Sequence, residues 1–340
     1  MKELNKMWED NWRTGVIESS KRRYLLKEIY PKISSNEDLL KYFILAHIYN
    51  LSTSELLDSE VKLLKSFQDD DFDESELYLI FYFKEFFSDK FIELLKSSAG
   101  DKLIDRWKFA ELGQDFTSFN KNHWKTLKKN LLNFKGVKAV LFVRKDRQYK
   151  GRLCLLSDEG NLVTENNLVW SVEALAKGRV NKKFYLPNGD TPTGFYSIDS
   201  VMPKADQQNL FGKHRRLKID FVSKEEILNS FDQTLIEHHW WKNGVIAYEL
   251  SRSLLRIHGT GMKNRKFYTK YYPFVTTSGC ISMREDKNQE GQRILLDKLM
   301  ECLELAPSIE NELEIHGHLC VIEIDDRRGN VSLNDILELD

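Results

Sequence analysis

The chain has 340 residues, of which 41% are apolar and 30% charged, and its net charge is −1. This is enough for a buried core and for two domains or one enlarged domain. The near-neutral charge excludes a global pull toward nucleic acid, and the 12% aromatic content argues against disorder.

Residues 1–133 read as helix after helix. Leu39-Leu40, Phe43-Ile44 and Ala46-His47 recur at helical spacing, as do Leu56-Leu57, Val61, Leu63-Leu64 and Phe67 after a Ser52–Ser54 start. Asp69-Asp70-Asp71 with Asp73, Glu74 and Glu76 lacks an internal glycine, so a solvated turn is expected rather than a calcium loop. Leu77–Phe83, with Phe86-Phe87 and Phe91, is apolar nearly all round and reads as the central helix of this region. Trp107, Phe119 and Trp124 sit at helical spacing and read as core.

At Phe134-Lys135-Gly136 the pattern changes to strands. Val137–Val143 and Tyr149–Leu156 flank a charged turn, and Lys183–Leu186, Gly194–Val201, Leu217–Phe221, Val245–Leu250 and Leu254–His258 follow. Glu173–Lys177 reads as a short helical turn, and Ser223 caps a helix to Phe231. A helix from Gln292 to Leu305 stops at Pro307, then come a strand at Leu319–Ile324 and a helix at Ser332–Leu337. The expected fold class is α+β: an all-helical region over 1–133, then a mainly antiparallel, β-rich domain with a few helices over 134–340.

Four cysteines, Cys154, Cys280, Cys302 and Cys320, do not make a disulfide framework. Cys154, Cys302 and Cys320 fit buried apolar positions. Cys280 differs, because it follows a glycine in Thr276-Thr277-Ser278-Gly279-Cys280-Ile281-Ser282-Met283-Arg284. A second strand-to-turn stretch, Arg256-Ile257-His258-Gly259-Thr260-Gly261, supplies an imidazole. A free thiol has a pKa of about 8.5 and needs a neighbouring base to act as a nucleophile at neutral pH. The amides of Gly279 and Cys280 are candidate donors to a developing oxyanion.

These stretches resemble the L,D-transpeptidase catalytic domain family (the YkuD-type fold). Ile257-His258-Gly259-Thr260 is similar to the family's His-Gly element, and Thr277–Met283 to its Ser/Thr-His-Gly-Cys-Ile/Val-Arg/Asn-Met/Leu signature. Ser278 stands where the family has histidine, and Ser282 where it has arginine or asparagine. Gly189-Asp190-Thr191-Pro192-Thr193-Gly194-Phe195-Tyr196 resembles its Gly-x-Thr-Pro-x-Gly strand entry. The resemblance implies Cys280 as nucleophile, His258 as base and the carbonyl of Gly259 as the group orienting the imidazole. Gly279, Ser278, Thr277, Arg284, Tyr272 and Trp241 are the candidates for holding the oxyanion and substrate. Arg284 reads equally as a carboxylate binder or a surface residue.

His238-His239-Trp240-Trp241 reads either as a groove wall or as a packed loop, and the basic, aromatic loop 261–276 (Lys263, Arg265, Lys266, Phe267, Tyr268, Lys270, Tyr271, Tyr272) either as a lid or as plain surface. His316, His318 and Cys320 share a strand face without a second ligand cluster, so no metal and no cofactor are expected.

The implied function is thioester formation on peptidoglycan stem peptides, with transfer to an amine, an amino acid acceptor or a wall-anchored protein. The alternatives are hydrolysis of the same bond or of a wall-protein linkage, and a non-catalytic wall-binding scaffold. The family works in the periplasm or cell envelope, while Met1–Trp8 shows no signal-peptide core. No nucleic acid partner is expected, and no apolar run approaches the ~18 residues of a membrane span.

Overall fold

The computed structural model describes residues 2–14, 19–51, 53–68, 76, 79–80, 83–98, 118–179, 184–185, 189–249, 252–261 and 270–340. The chain divides into two units, Met1–Gln114 with Glu249–Ser251, and Asp115–Tyr248 with Arg252–Asp340.

Every regular element described in the first unit is a helix. The longer ones are Lys2–Thr14, Ser19–Ile29, Asn36–Ile48, Thr53–Gln68 and Asp89–Ser98. Ser35 caps the third by accepting from the Asp38 N–H at 3.2 Å. That helix is the most buried: Tyr42, Leu45 and Ala46 join Leu4, Leu26 and Tyr49 in one apolar cluster. Phe43 stacks on Phe87 at 4.4 Å, and Phe87 on Phe91 at 4.7 Å. The acidic run over 69–75, Trp107 and most of the 77–83 stretch lie outside the described residues.

The second unit opens with the helix Lys121–Leu131, which the sequence reading grouped with the N-terminal helices. Trp124 lies edge-on against Phe142 at 5.2 Å, so this helix packs on the sheet. Strands follow the alternation of apolar residues: β1 (Val137–Arg144), β2 (Gly151–Leu156), β3 (Thr164–Glu165), β4 (Leu168–Val169), β5 (Ser171–Leu175), β6 (Gly194–Val201), β7 (Leu217–Phe221), β8 (Arg256–His258), β9 (Ile281–Met283) and β10 (His316–Asp325). β3 and β4 pair with each other; the rest close into a barrel in the order β1-β10-β6-β7-β8-β9-β5-β2. The pairs β1·β10 and β8·β9 are parallel and the other six neighbours antiparallel. The sheet is thus mostly antiparallel, as expected.

Leu141, Leu153, Ala174, Ile198, Ile219, Ile257, Ile281, Met283 and Leu319 point to one common core. Leu295, Leu296 and Leu299 of the Gly291–Cys302 helix complete it. The helices expected at 223–231 and 332–337 appear as Lys224–Ser230 and Leu333–Leu339, each with its serine cap accepting from the N3 backbone.

Two expectations are overturned. Glu173–Lys177 is not a helical turn, because Ser171–Leu175 pairs with β2 on one side and β9 on the other. Of the strand expected at 245–250, Val245–Glu249 instead belongs to the helix Lys242–Glu249. That helix approaches the start of β6 closely: a Cβ on Gly194 would lie 3.2 Å from the Gly244 Cα. The strand expected at 183–186 falls largely outside the described residues, with Phe184-Tyr185 in a turn.

Candidate active site

The parallel pairing of β8 with β9 builds the site. Ile257 is in register with Ile281, and His258 with Ser282. Ile257, Ile281 and Met283 all face the core, so alternation turns Arg256, His258, Cys280 and Ser282 to the opposite face. Cys280, one residue before β9, is therefore a diagonal neighbour of His258 on that face. Diagonal neighbours in a sheet sit roughly 7–8 Å apart at Cα, within reach of an aromatic-sized ring. The pairing brings two turns far apart in the chain together: Cys280 lies two residues before Ser282, the register partner of His258.

His258 is 2% exposed. Its Nδ1 lies 2.6 Å from the Gly259 carbonyl oxygen. A carbonyl only accepts, so Nδ1 carries the proton and Nε2 keeps its lone pair. Phe211 packs edge-on against the imidazole at 5.0 Å. Burial pushes His258 down to about 4; the charges of Arg216 and Arg179 act in the same direction and the Gly259 bond opposes them.

Glu285 fastens the surroundings of His258. Its Oε1 accepts from the Lys213 N–H at 2.9 Å, and its backbone carbonyl accepts from the Thr260 hydroxyl at 3.0 Å. The carboxylate is wedged where a Cβ on Gly212 or Gly259 would lie, 2.1 and 2.5 Å from Oε2 respectively. Gly212 is required there, with φ +87° and the Gly259 Cα 2.9 Å from where its Cβ would lie, whereas a side chain at Gly259 would displace the Glu285 carboxylate.

Bonds from within the loop and from a neighbouring strand entry hold the Cys280 turn. The Thr277 hydroxyl donates to the Cys280 carbonyl at 2.5 Å and accepts from the Gly279 N–H at 3.2 Å. The Thr191 hydroxyl donates to the Gly279 carbonyl at 2.9 Å, so the Gly-Asp-Thr-Pro stretch anchors the thiol turn. Gly279 has φ +104°, and a Cβ there would lie 2.0 Å from Arg252 Nη2. Cys280 itself is of intermediate exposure, and its Sγ–H donates to the Leu254 carbonyl at 4.0 Å. Burial pushes the thiol up; the Arg256 backbone N–H and the charges of Arg256, Arg252 and Arg216 act against that without reversing it.

The remaining candidates have different surroundings. Ser278 is exposed at the turn. Thr277 is buried with its hydroxyl engaged, so it shapes the turn instead of reaching a ligand. The Gly279 N–H, one of the two expected oxyanion donors, is taken by the Thr277 hydroxyl. Arg284 directs its Nε to Asp286 at 2.8 Å, an ion pair within its own turn. Trp241 is 2% exposed and its indole N–H donates to the Ile236 carbonyl at 3.2 Å, so it is core and not groove wall. Tyr272 is 40% exposed; residues 262–269 of its loop lie outside the described residues. His316 is exposed with Nδ1 on the Glu314 carbonyl, His318 stacks on Phe195 at 5.0 Å and Cys320 is fully buried. Among the described residues no group of three or more His, Cys, Asp or Glu is placed to hold a metal.

Sequence reasoning passed over Arg252 and Glu285. Neither stands in a recognisable motif, and only the Gly279 and Gly259 positions beside them carried a signal.

Residues 150–291 match the model of the YkuD family, the L,D-transpeptidase catalytic domain. The matched span runs from just before β2 to the first residue of the Gly291–Cys302 helix and takes in both His258 and Cys280. Members of that family are typically cysteine-dependent transpeptidases acting on the peptidoglycan of the cell wall. Neither the curated proteins nor the solved structures give a match to this chain. No described helix is long and apolar enough to cross a membrane.

Proposed function

We propose that this chain is a cysteine acyltransferase acting on peptidoglycan stem peptides at the cell envelope. The observation that supports the reading is the β8·β9 pairing, in which the partner of His258 is Ser282, two residues after Cys280. The family match supports the substrate class.

The resting pair is neutral. Burial raises the thiol and lowers the imidazole to about 4, so at pH 7 the sulfur holds its proton and Nε2 is unprotonated. The proton then moves as the sulfur attacks, with His258 acting as general base. Sγ bonds to the carbonyl carbon of an L-centre, its proton passes to Nε2, and the Cys280 N–H receives the oxyanion. The C–N bond breaks, His258 returns the proton to the departing D-amino acid, and a thioester remains. An acceptor amine attacks that thioester, loses its proton to His258, and the sulfur leaves and is reprotonated. Water in place of the amine gives an L,D-carboxypeptidase product.

The test is intact-mass measurement after incubation with a tetrapeptide donor or a carbapenem-type acylating agent. The expected result is a covalent adduct that Cys280→Ala loses. No adduct on the unaltered protein, with donor binding retained, sinks the enzyme reading in favour of a wall-binding protein. Mass analysis of the released products separates transfer from hydrolysis.

A further inference from the structure

Arg252 is 5% exposed, yet its guanidinium hydrogen bonds go to backbone carbonyls: Nη1 to Phe184 and, at 2.9 Å, to Asp190, and Nη2 to Gly189 at 3.3 Å. Buried charges are usually matched by an opposite charge in direct contact. The nearby carboxylate of Asp190 is turned elsewhere, to Lys177 Nζ at 3.1 Å and the Gly178 N–H at 2.7 Å. On its other side the guanidinium touches the thiol turn. A Cβ on Gly279 would lie 2.0 Å from Nη2 and 3.3 Å from Cζ, so only a glycine lets the cation come this near. The groups whose charges act on Arg252 are Tyr196, Cys280 and Asp190; those acting on Cys280 are Arg256, Arg252 and Arg216.

We infer that Arg252 is a positioning residue for the nucleophile: held by three carbonyls against Gly279, it fixes the thiol turn and presents a desolvated positive charge to the anion that forms at Cys280. A cation fixed in a water-poor site acts more strongly on a neighbouring charge than one in solvent. Thiolates next to arginine are favoured for the same reason. The chemistry of the thioester rests on the acyl-transfer reading, but the titration of the thiol does not, so the two fail separately.

The test is the pH dependence of Cys280 alkylation by iodoacetamide in the full chain, with Cys280→Ser as the background. Arg252→Met is expected to move the midpoint up by about one pH unit and to slow alkylation below the midpoint about tenfold. Arg252→Lys, which keeps the charge but not the planar fork, is expected to fall between. A folded Arg252→Met protein whose profile overlays the unaltered one overturns the inference, as does Lys behaving like Met. Should Arg252→Met fail to fold, guanidinium NMR on the unaltered protein decides. The Arg252 resonance is expected to titrate with the thiol and to stop doing so in Cys280→Ser; a resonance unmoved through the thiol midpoint refutes the proposal.

Discussion

β1 pairs with β10 over eight register positions, from Val137↔Gly317 to Arg144↔Asp325, whereas β8 pairs with β9 over two. Both pairs are parallel, and the ring order sets them on opposite sides of the barrel. β1 is buried at every position, with Leu141 in the core and Phe142 under Trp124 on the other face. Burial on both faces is the usual condition of parallel strands, and here it stabilises the fold. The short pair is also largely buried, but its face away from the core carries polar side chains, His258 and Ser282. Its order comes instead from side chains reaching backbone: Thr191 to Gly279, Thr277 to Cys280, Thr260 to Glu285, and Arg252 to the carbonyls before β6. Such bonds leave the outer face for polar chemistry. One parallel pair is held by apolar area, the other by hydrogen bonds that also hold the turn carrying Cys280.

The largest effects should come from the short pair and fall on activity. Cys280→Ala is expected to abolish acylation, and His258→Gln to slow it by about 10²–10⁴-fold. Time-resolved intact mass checks the rates, and urea unfolding checks that both proteins stay folded; acylation of Cys280→Ala would place the nucleophile elsewhere. The long pair should respond in the opposite sense. Phe142→Ala, at a fully buried position, is expected to cost about 3–5 kcal/mol of stability. In the fraction that remains folded, the pH profile of Cys280 alkylation should not change.

Acid should loosen the second unit through its buried imidazoles. His258 and His238 are each lowered to about 4, first by burial. The unfolded chain takes up those protons near pH 6.5, before the folded one does. Their contribution to stability is therefore fully present above 6.5, is lost as pH falls toward 4, and is constant below. At about 1.4 kcal/mol per pKa unit the upper bound is about 3 kcal/mol for each imidazole. Denaturation midpoints between pH 7 and 4.5 measure this, and His238→Gln should flatten the slope. The smallest effect expected is that of Thr191→Val, which removes one bond to the thiol turn. It should cost about 1 kcal/mol and slow acylation several-fold without moving the unfolding cooperativity.

Much of the barrel was legible because the apolar run of Val137–Val143 and the alternation in Gly194–Val201 and Leu217–Phe221 are local properties of the chain. The misread segments were short apolar runs, where period alone does not separate strand from helix. Val245-Ile246-Ala247 became helical because Gly244 packs on Gly194, and Ser171–Leu175 became a strand because β2 and β9 flank it. The sequence leaves Trp241 open between groove wall and packed loop, since its burial depends on elements far away in the chain.

By itself the sequence singled out the atoms proposed for the chemistry, since a thiol after a glycine and an imidazole before one are local patterns. Only the tertiary structure decided their protonation and their support. The tautomer of His258 follows from the Gly259 carbonyl, the neutral resting pair from burial, and the buried cation against Gly279 from Arg252. Burial and charge at a site are sums over residues that meet only when the chain has folded.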